Sequence, residues 1–378
     1  MPGGVPALAS TILHHYGRKN PNASRKRCAS MPGGVHALAS TILHHYGRKN
    51  PNASRKRCAS MPGGVHALAS TIRSASNLLQ RMMAKQPGCQ SSEYKLMDAG
   101  LAARSQLRKG RLSEWSDEER EVLYDMFRAG FDKVQDELAD ARKNGNQVFM
   151  KEHTSFLSGP DKLFARTFDG DEVDPLVVYE RNAPKSPHTN PTSMPDSLLL
   201  SMQPIFQIRH PVLMFPSMLR AMIKLNGRAR PRDLEVTAML TLRYSRDLFD
   251  WYLNHGGEVK PKVIDADDII NDRAVVRQLC IETGMDPDAV QYEWEIREEK
   301  DPLKAIFLST INASTSVIPG LVARGLDFDI EKVKWKAEFG EGDGEDLAKL
   351  VQDAMPDYNY LLSQRTLPGQ VDSPQAQD

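Results

Sequence analysis
The sequence predicts an α/β protein, a three-layer sandwich with a central parallel sheet, and three observations carry that reading. From residue 65 onward short apolar runs alternate with amphipathic stretches, the strand-helix order that a parallel sheet requires. The chain has 378 residues, of which 40% are hydrophobic, enough for a substantial core. No run approaches the eighteen or so uninterrupted apolar residues of a membrane helix, and the N-terminus lacks the apolar stretch of a signal peptide, so a soluble, cytoplasmic protein with no membrane partner is expected.

Residues 1–60 are excluded from the fold. They are two copies of a 30-residue unit that differ only by Pro6 for His36, and the first twelve residues of the unit return once more at 61–72. Two copies are too few for a repeat fold and read as a recent duplication or a mis-joined gene. The net charge of zero hides an asymmetry, because residues 1–60 carry ten basic side chains and no acidic ones. A basic arm can serve as an address or a nucleic-acid contact, but nothing else in the chain supports nucleic acid as the partner. Of four cysteines, Cys28 and Cys58 share one repeat position, and Cys89 and Cys280 stand apart with no metal-type spacing, so reduced thiols and no metal are expected.

The globular domain is expected over 61–366. VHALAST (65–71) reads as a short buried strand, IRSAS (72–76) as a polar turn and SNLLQRMMA (76–84) as the helix it opens. A long helix is expected over 117–143, with Ser116 and Glu119 as a capping box, Val122, Leu123, Phe127, Val134 and Leu138 on one face, and NGN (144–146) as the stop. QVFMK (147–151) is the next strand, and 180–197, rich in Pro and Ser, is a loop. PIFQIRH (204–210) is a buried strand that leads into the helix FPSMLRAMIKL (215–225). A single helix is expected over 235–255, stopped by Gly256 and Gly257, followed by a strand and acidic turn in KPKVIDADDII and a helix ending at Gly284. Residues 292–330 carry no clear pattern. A last helix over 345–365 is interrupted near Pro356, and 367–378 form a disordered tail.

In open parallel sheets ligands bind outside the carboxyl ends of the strands, which directs attention to three places. In IRSASNLL, a turn of small residues opening a helix suits a phosphate, with Arg73, Ser74, Ala75, Ser76 and Asn77 around it, although Ser and Asn are also ordinary helix caps and the Walker lysine is missing. In VFMKEH, Lys151 and His153 are two apart at a strand end and share a face; His suits proton transfer and Lys suits developing negative charge, while an ordinary surface pair has the same spacing. In IRHPVLMFPS, Arg209 ends a strand and Ser217 lies eight residues on, so both can face one anionic group.

Taken together and in this order, IRSASNLL, KEH and RHPVLMFPS resemble the sulfotransferase family, in the style of fungal sulfotransferase-like proteins of natural-product gene clusters. The likeness runs from about 65 to 290 and includes VIDADDIINDRAVVRQLCIETGMDPDAV (263–290). It implies a P-loop NTPase-like sandwich, 3'-phosphoadenosine 5'-phosphosulfate as co-substrate, and a small-molecule hydroxyl as acceptor. By that resemblance residues 73–77 bind the 5'-phosphosulfate, His153, Lys151 and Arg73 are catalytic, and Arg209 with Ser217 binds the 3'-phosphate. The chain departs from the family at Ile72, where Pro is usual, at Ala75, where Gly is usual, and at Ala266, where Tyr is common. The family's C-terminal R-K-G element has no clear counterpart, with WKAEFGEGDGED (335–346) in its place. A sulfotransferase-like protein that binds a nucleotide or partner without catalysis is the alternative these departures leave open.

Overall fold
A computed structural model describes residues 64–185 and 187–369; the repeat arm and the end of the tail lie outside the described residues. Five strands form one sheet: β1 (Val65–Ser70), β2 (Cys89–Ser91), β3 (Gln147–His153), β4 (Met202–Ile208) and β5 (Lys262–Asp265). Their spatial order is β2-β3-β1-β4-β5 and every pairing is parallel. The chain leaves β1 for one edge, fills β2 and β3 there, then crosses back to lay β4 and β5 on the other side. The reversal of direction therefore falls at β1, where such sheets leave a crevice at the carboxyl ends.

Helices of seven or more residues among those described are α1 (Ser76–Met82), α2 (Met97–Ser105), α3 (Asp117–Lys143), α4 (Pro160–Thr167), α5 (Pro211–Asn226), α6 (Arg243–His255), α7 (Arg273–Thr283), α8 (Pro302–Asn312), α9 (Phe328–Phe339) and α10 (Glu341–Ser363). They cover both faces of the sheet. On one, Leu68, Phe149, Ile205 and Ile264 pack with Leu79 and Met82 of α1 and Val276 and Leu279 of α7. On the other, Ala69, Met150, Phe206 and Val263 pack with Phe127 and Val134 of α3, Phe215 of α5, Phe249 of α6 and Val351 of α10. The expected three-layer arrangement is present.

Local signals in α3 work as read. Ser116 and Glu119 close a reciprocal capping box, the first turn is acidic and the last basic, which suits the helix dipole. Val122 is the exception: it is 69% exposed, because one residue before Leu123 lies about 100° around the helix from the buried stripe.

Elsewhere tertiary contacts override local pattern. The single helix expected over 235–255 is split into a turn at Leu234–Thr237 and α6, since the Thr241 hydroxyl accepts from the Arg243 amide at 3.0 Å and starts a new first turn. Conversely, α10 runs unbroken through Pro356. An internal Pro costs roughly 3 kcal/mol, and here Leu347, Val351, Ala354, Tyr358 and Leu361 hold one face buried on both sides of it. The unassigned stretch 292–330 contains α8, and the segment 335–346 is the end of α9 and the start of α10.

Phe206 sits at the centre of β4, fully buried and edge-on to Phe249 at 5.5 Å and Tyr252 at 6.1 Å. Phe206→Ala is expected to lower stability by about 3–5 kcal/mol, measured by urea unfolding. A loss below about 1 kcal/mol would mean that the α6 layer does not depend on this contact.

Candidate active site
The register of the sheet assembles the site. Ser70 of β1 pairs with His153 of β3 on one side and Gln207 of β4 on the other, and one step earlier on the same face Leu68 pairs with Lys151 and Ile205. Paired residues share a face, so Ser70, His153 and Gln207 form a polar row facing α1, above a row in which Leu68 and Ile205 are apolar and Lys151 carries an amine. His153 Nδ1 lies 2.8 Å from Ser70 Oγ, and Nε2 lies 2.9 Å from the Tyr94 hydroxyl. Ser70 Oγ also donates to the Glu152 carbonyl at 3.4 Å, so the set of bonds is complete with N–H at Nδ1 and a lone pair at Nε2. Burial, and then the charge of Lys151, hold the His153 imidazole at about 3, neutral through the working range.

Lys151 is also buried. Its ammonium donates to Asn77 Oδ1 and lies 4.5 Å from the Tyr94 ring centroid. Burial pushes its pKa down to about 7 against the pull of Glu152 and Glu93. A lysine so placed recovers its proton readily when an anion approaches.

Between β1 and α1 the backbone turns through two left-handed residues, Arg73 (φ 66°) and Ala75 (φ 64°). Such alternation turns amide groups toward a common concavity, a form suited to anions. Ser74 braces the turn from within: its hydroxyl donates to the Thr71 carbonyl at 2.8 Å, and its own carbonyl accepts from Gln207 Nε2 at 2.6 Å. Ser74 therefore offers its backbone rather than its hydroxyl. Ser76 is buried, and its hydroxyl lies near enough to Tyr94 to pull the phenol's pKa down against the larger effect of burial.

A second cluster gathers around Arg73. Its Nε and Nη2 reach Ser217 Oγ at 3.0 and 2.9 Å, and Nη1 donates to the Phe307 carbonyl of α8 at 3.0 Å. Arg209 Nη1 donates to the Arg73 carbonyl and Nη2 to the Leu321 carbonyl, both at 3.3 Å, while its buried Nε has no partner. Neither guanidinium is in an ion pair among the described residues. Burial lowers both pKa values; Arg209 lowers that of Arg73 further, while Asp267 and Asp265 pull that of Arg209 back up, and a bound anion would favour both charged forms.

The nine residues singled out in the sequence thus come together in two groups. Lys151 and His153 flank Tyr94, with Ser76 beside it and Asn77 bonded to Lys151; Arg73, Arg209 and Ser217 meet one another, with Ser74 and Ala75 in the turn that joins the groups. Arg73 turns its guanidinium to Ser217 rather than to the Lys151–His153 pair. Sequence reasoning missed Ser70, Tyr94 and Gln207, which carry no motif. The acidic stretch 335–346, in the place of the family's R-K-G element, is helical; the segment beside Arg209 is 321–324, where the amides of Ala323 and Arg324 donate to Asp267 Oδ2 at 2.8 and 3.1 Å. The Arg324-Gly325 pair in the unassigned stretch was its only signal.

A parallel sheet carries at its switch point a turn of left-handed residues, a neutral buried histidine and two guanidinium groups outside any ion pair, an arrangement whose chemistry suits an anionic ligand. Comparison gives the family. The chain is 33% identical over 319 residues to Sulfotransferase ppzF of Metarhizium majus, covering 78% of this chain and 94% of that protein. It is 32% identical over 317 residues to Sulfotransferase ppzF of Metarhizium rileyi, covering 78% and 93%. The chain belongs to the sulfotransferase family. No family model matches it, and no solved structure does. No helix among the described residues is long and apolar enough to cross a membrane.

Ala75 holds the position where the family usually has Gly, and its left-handed backbone carries a cost of roughly 1–2 kcal/mol for an L-residue. Ala75→Gly is expected to stabilise the protein by about 0.5–1 kcal/mol, a rise in Tm of about 2 °C, measured by calorimetry. A fall in Tm would show that the turn is not strained at this position.

Proposed function
We propose that this protein is an enzyme that transfers a sulfuryl group from 3'-phosphoadenosine 5'-phosphosulfate to a hydroxyl of a small molecule, in the secondary-metabolite chemistry the family resemblance implies. The observation that carries the reading is the convergence of three strand ends at one switch point: the turn after β1, the Lys151–His153 pair of β3 and Arg209 after β4. The sandwich is read as the P-loop sulfotransferase fold on the same ground.

The donor supplies an activated sulfuryl group; the chain supplies position and charge. The amides of the 73–77 turn, with Asn77, hold the 5'-phosphosulfate. Lys151 neutralises charge that develops on the bridging oxygen. Arg209, whose buried Nε lacks a partner, holds the 3'-phosphate with Ser217 and Arg73, and Arg324 stands in the segment beside them. His153, neutral and buried, is the final proton acceptor. Removing such a base lowers the rate about 10² to 10⁴-fold, so His153→Ala is expected to abolish most turnover while the nucleotide still binds.

Binding is tested with 3'-phosphoadenosine 5'-phosphate. At a hundred times its Kd the ligand should add about 2.7 kcal/mol of stability, and the absence of any thermal shift at millimolar ligand would overturn the reading. The sign of the pH dependence follows from Lys151. Its free-state pKa is about 7, and a phosphate beside it raises that value. Above pH 7 binding should therefore take up a proton and weaken as pH rises, by up to about tenfold per unit. Calorimetry in two buffers of different ionisation enthalpy reads the uptake, which should vanish in Lys151→Met.

A further inference from the structure
His153 has no free nitrogen. Nδ1 faces Ser70 beneath it in the sheet and Nε2 faces the Tyr94 hydroxyl at 2.9 Å, while the imidazole is 8% exposed and Phe156 closes another side, ring centroids 5.3 Å apart. A hydroxyl arriving from solvent meets Tyr94 first, because Tyr94 is only half-buried.

Tyr94 is not poised to step aside. Its ring lies between His153, at 4.7 Å, and the Lys151 ammonium, at 4.5 Å. The backbone on both sides is anchored in the fold. The Ser92 amide donates to the Phe149 carbonyl at 3.0 Å and its hydroxyl to Glu137 at 2.6 Å. The amides of Lys95 and Leu96 both donate to Glu152 Oε1, and Lys95 pairs with Glu137 at 2.7 Å. A continuous chain of hydrogen-bonding groups, Tyr94, His153 and Ser70, thus runs from the segment after β2 to the end of β1.

Resting on the sulfotransferase reading above, we infer that Tyr94 is a further catalytic residue, through which the acceptor's proton reaches His153. As the acceptor oxygen forms its bond to sulfur and the sulfur–oxygen bond to the donor's phosphate breaks, the acceptor's proton passes to the Tyr94 oxygen and Tyr94's own proton passes to Nε2. The electron pair of the broken bond leaves with the nucleotide phosphate. Tyr94 is neutral before and after, in keeping with burial that pushes its pKa up, and the imidazolium returns its proton to solvent by the same path after release.

The test uses sulfur-labelled donor alone, with water as the acceptor, so no acceptor need be known. In the full chain Tyr94→Phe should slow release of labelled sulfate by about 10²-fold, close to the effect of His153→Ala. The double variant should add little to either, because both act on one path. Binding of 3'-phosphoadenosine 5'-phosphate and the Tm should stay within error, which separates failure of this inference from failure of the proposed function. A proton inventory in mixed light and heavy water should be curved in the wild type, with two protons in flight, and linear in Tyr94→Phe. Release unchanged by Tyr94→Phe would overturn the relay. Faster release would also overturn it, and would make Tyr94 a plug on the base; label found on Tyr94 itself would overturn it in favour of Tyr94 as an acceptor.

Discussion
The parallel register of β1 between β3 and β4 is the constraint on which the rest of this structure depends. Ser70 meets His153 and Gln207 only because Leu68, one step earlier on the same face, meets Lys151 and Ile205. A slip of β1 by one residue would send Ser70 and Leu68 to the opposite layer, among the aromatic side chains that surround Phe206, and part Ser70 from His153 and Gln207. The buried apolar residues below the row penalise such a slip. The requirements of the core and of the site are thus met by the same few pairings.

Alternation along β3 lets one strand serve both layers. Lys151 and His153 point to the anion-receiving turn, while Glu152 between them points the other way and holds the amides of Lys95 and Leu96. Burial raises the Glu152 pKa to about 7, so this carboxyl is kept in place by backbone donors in a setting that disfavours its charge. It fixes the segment that carries Tyr94 against His153. The short run from 151 to 153 therefore positions the imidazole, the amine and the tyrosine beside them together.

Strain and buried positive charge are concentrated at the same point. Two L-residues are left-handed in one turn, two guanidinium groups lack carboxylate partners, and Arg209 Nε is buried without an acceptor. Each feature opposes stability in the free protein, and an anion bound at the switch point would relieve the last two. Such departures persist where the surrounding structure over-determines them, and here the packed sheet below the turn does so. Membership of the sulfotransferase family, shown by relatives that match almost end to end, agrees with that distribution.

The sequence by itself determined the α/β class, four of the five strands described, the ends of α3, and the three strand-end motifs; β2, α2 and α8 carried no signal that was read. Each feature so determined rests on residues near one another in the chain: a capping box, a run of apolar side chains, a turn of small residues. It could not show that Arg73 would turn to Ser217, 144 positions away, or that α10 would run straight through Pro356. Tyr94 is the clearest case, since SSEYK carries no pattern of its own and lies 59 positions from His153. Only the tertiary structure decided those pairings, because they depend on which strands are neighbours, and a parallel sheet sets its neighbours through crossovers rather than through local sequence.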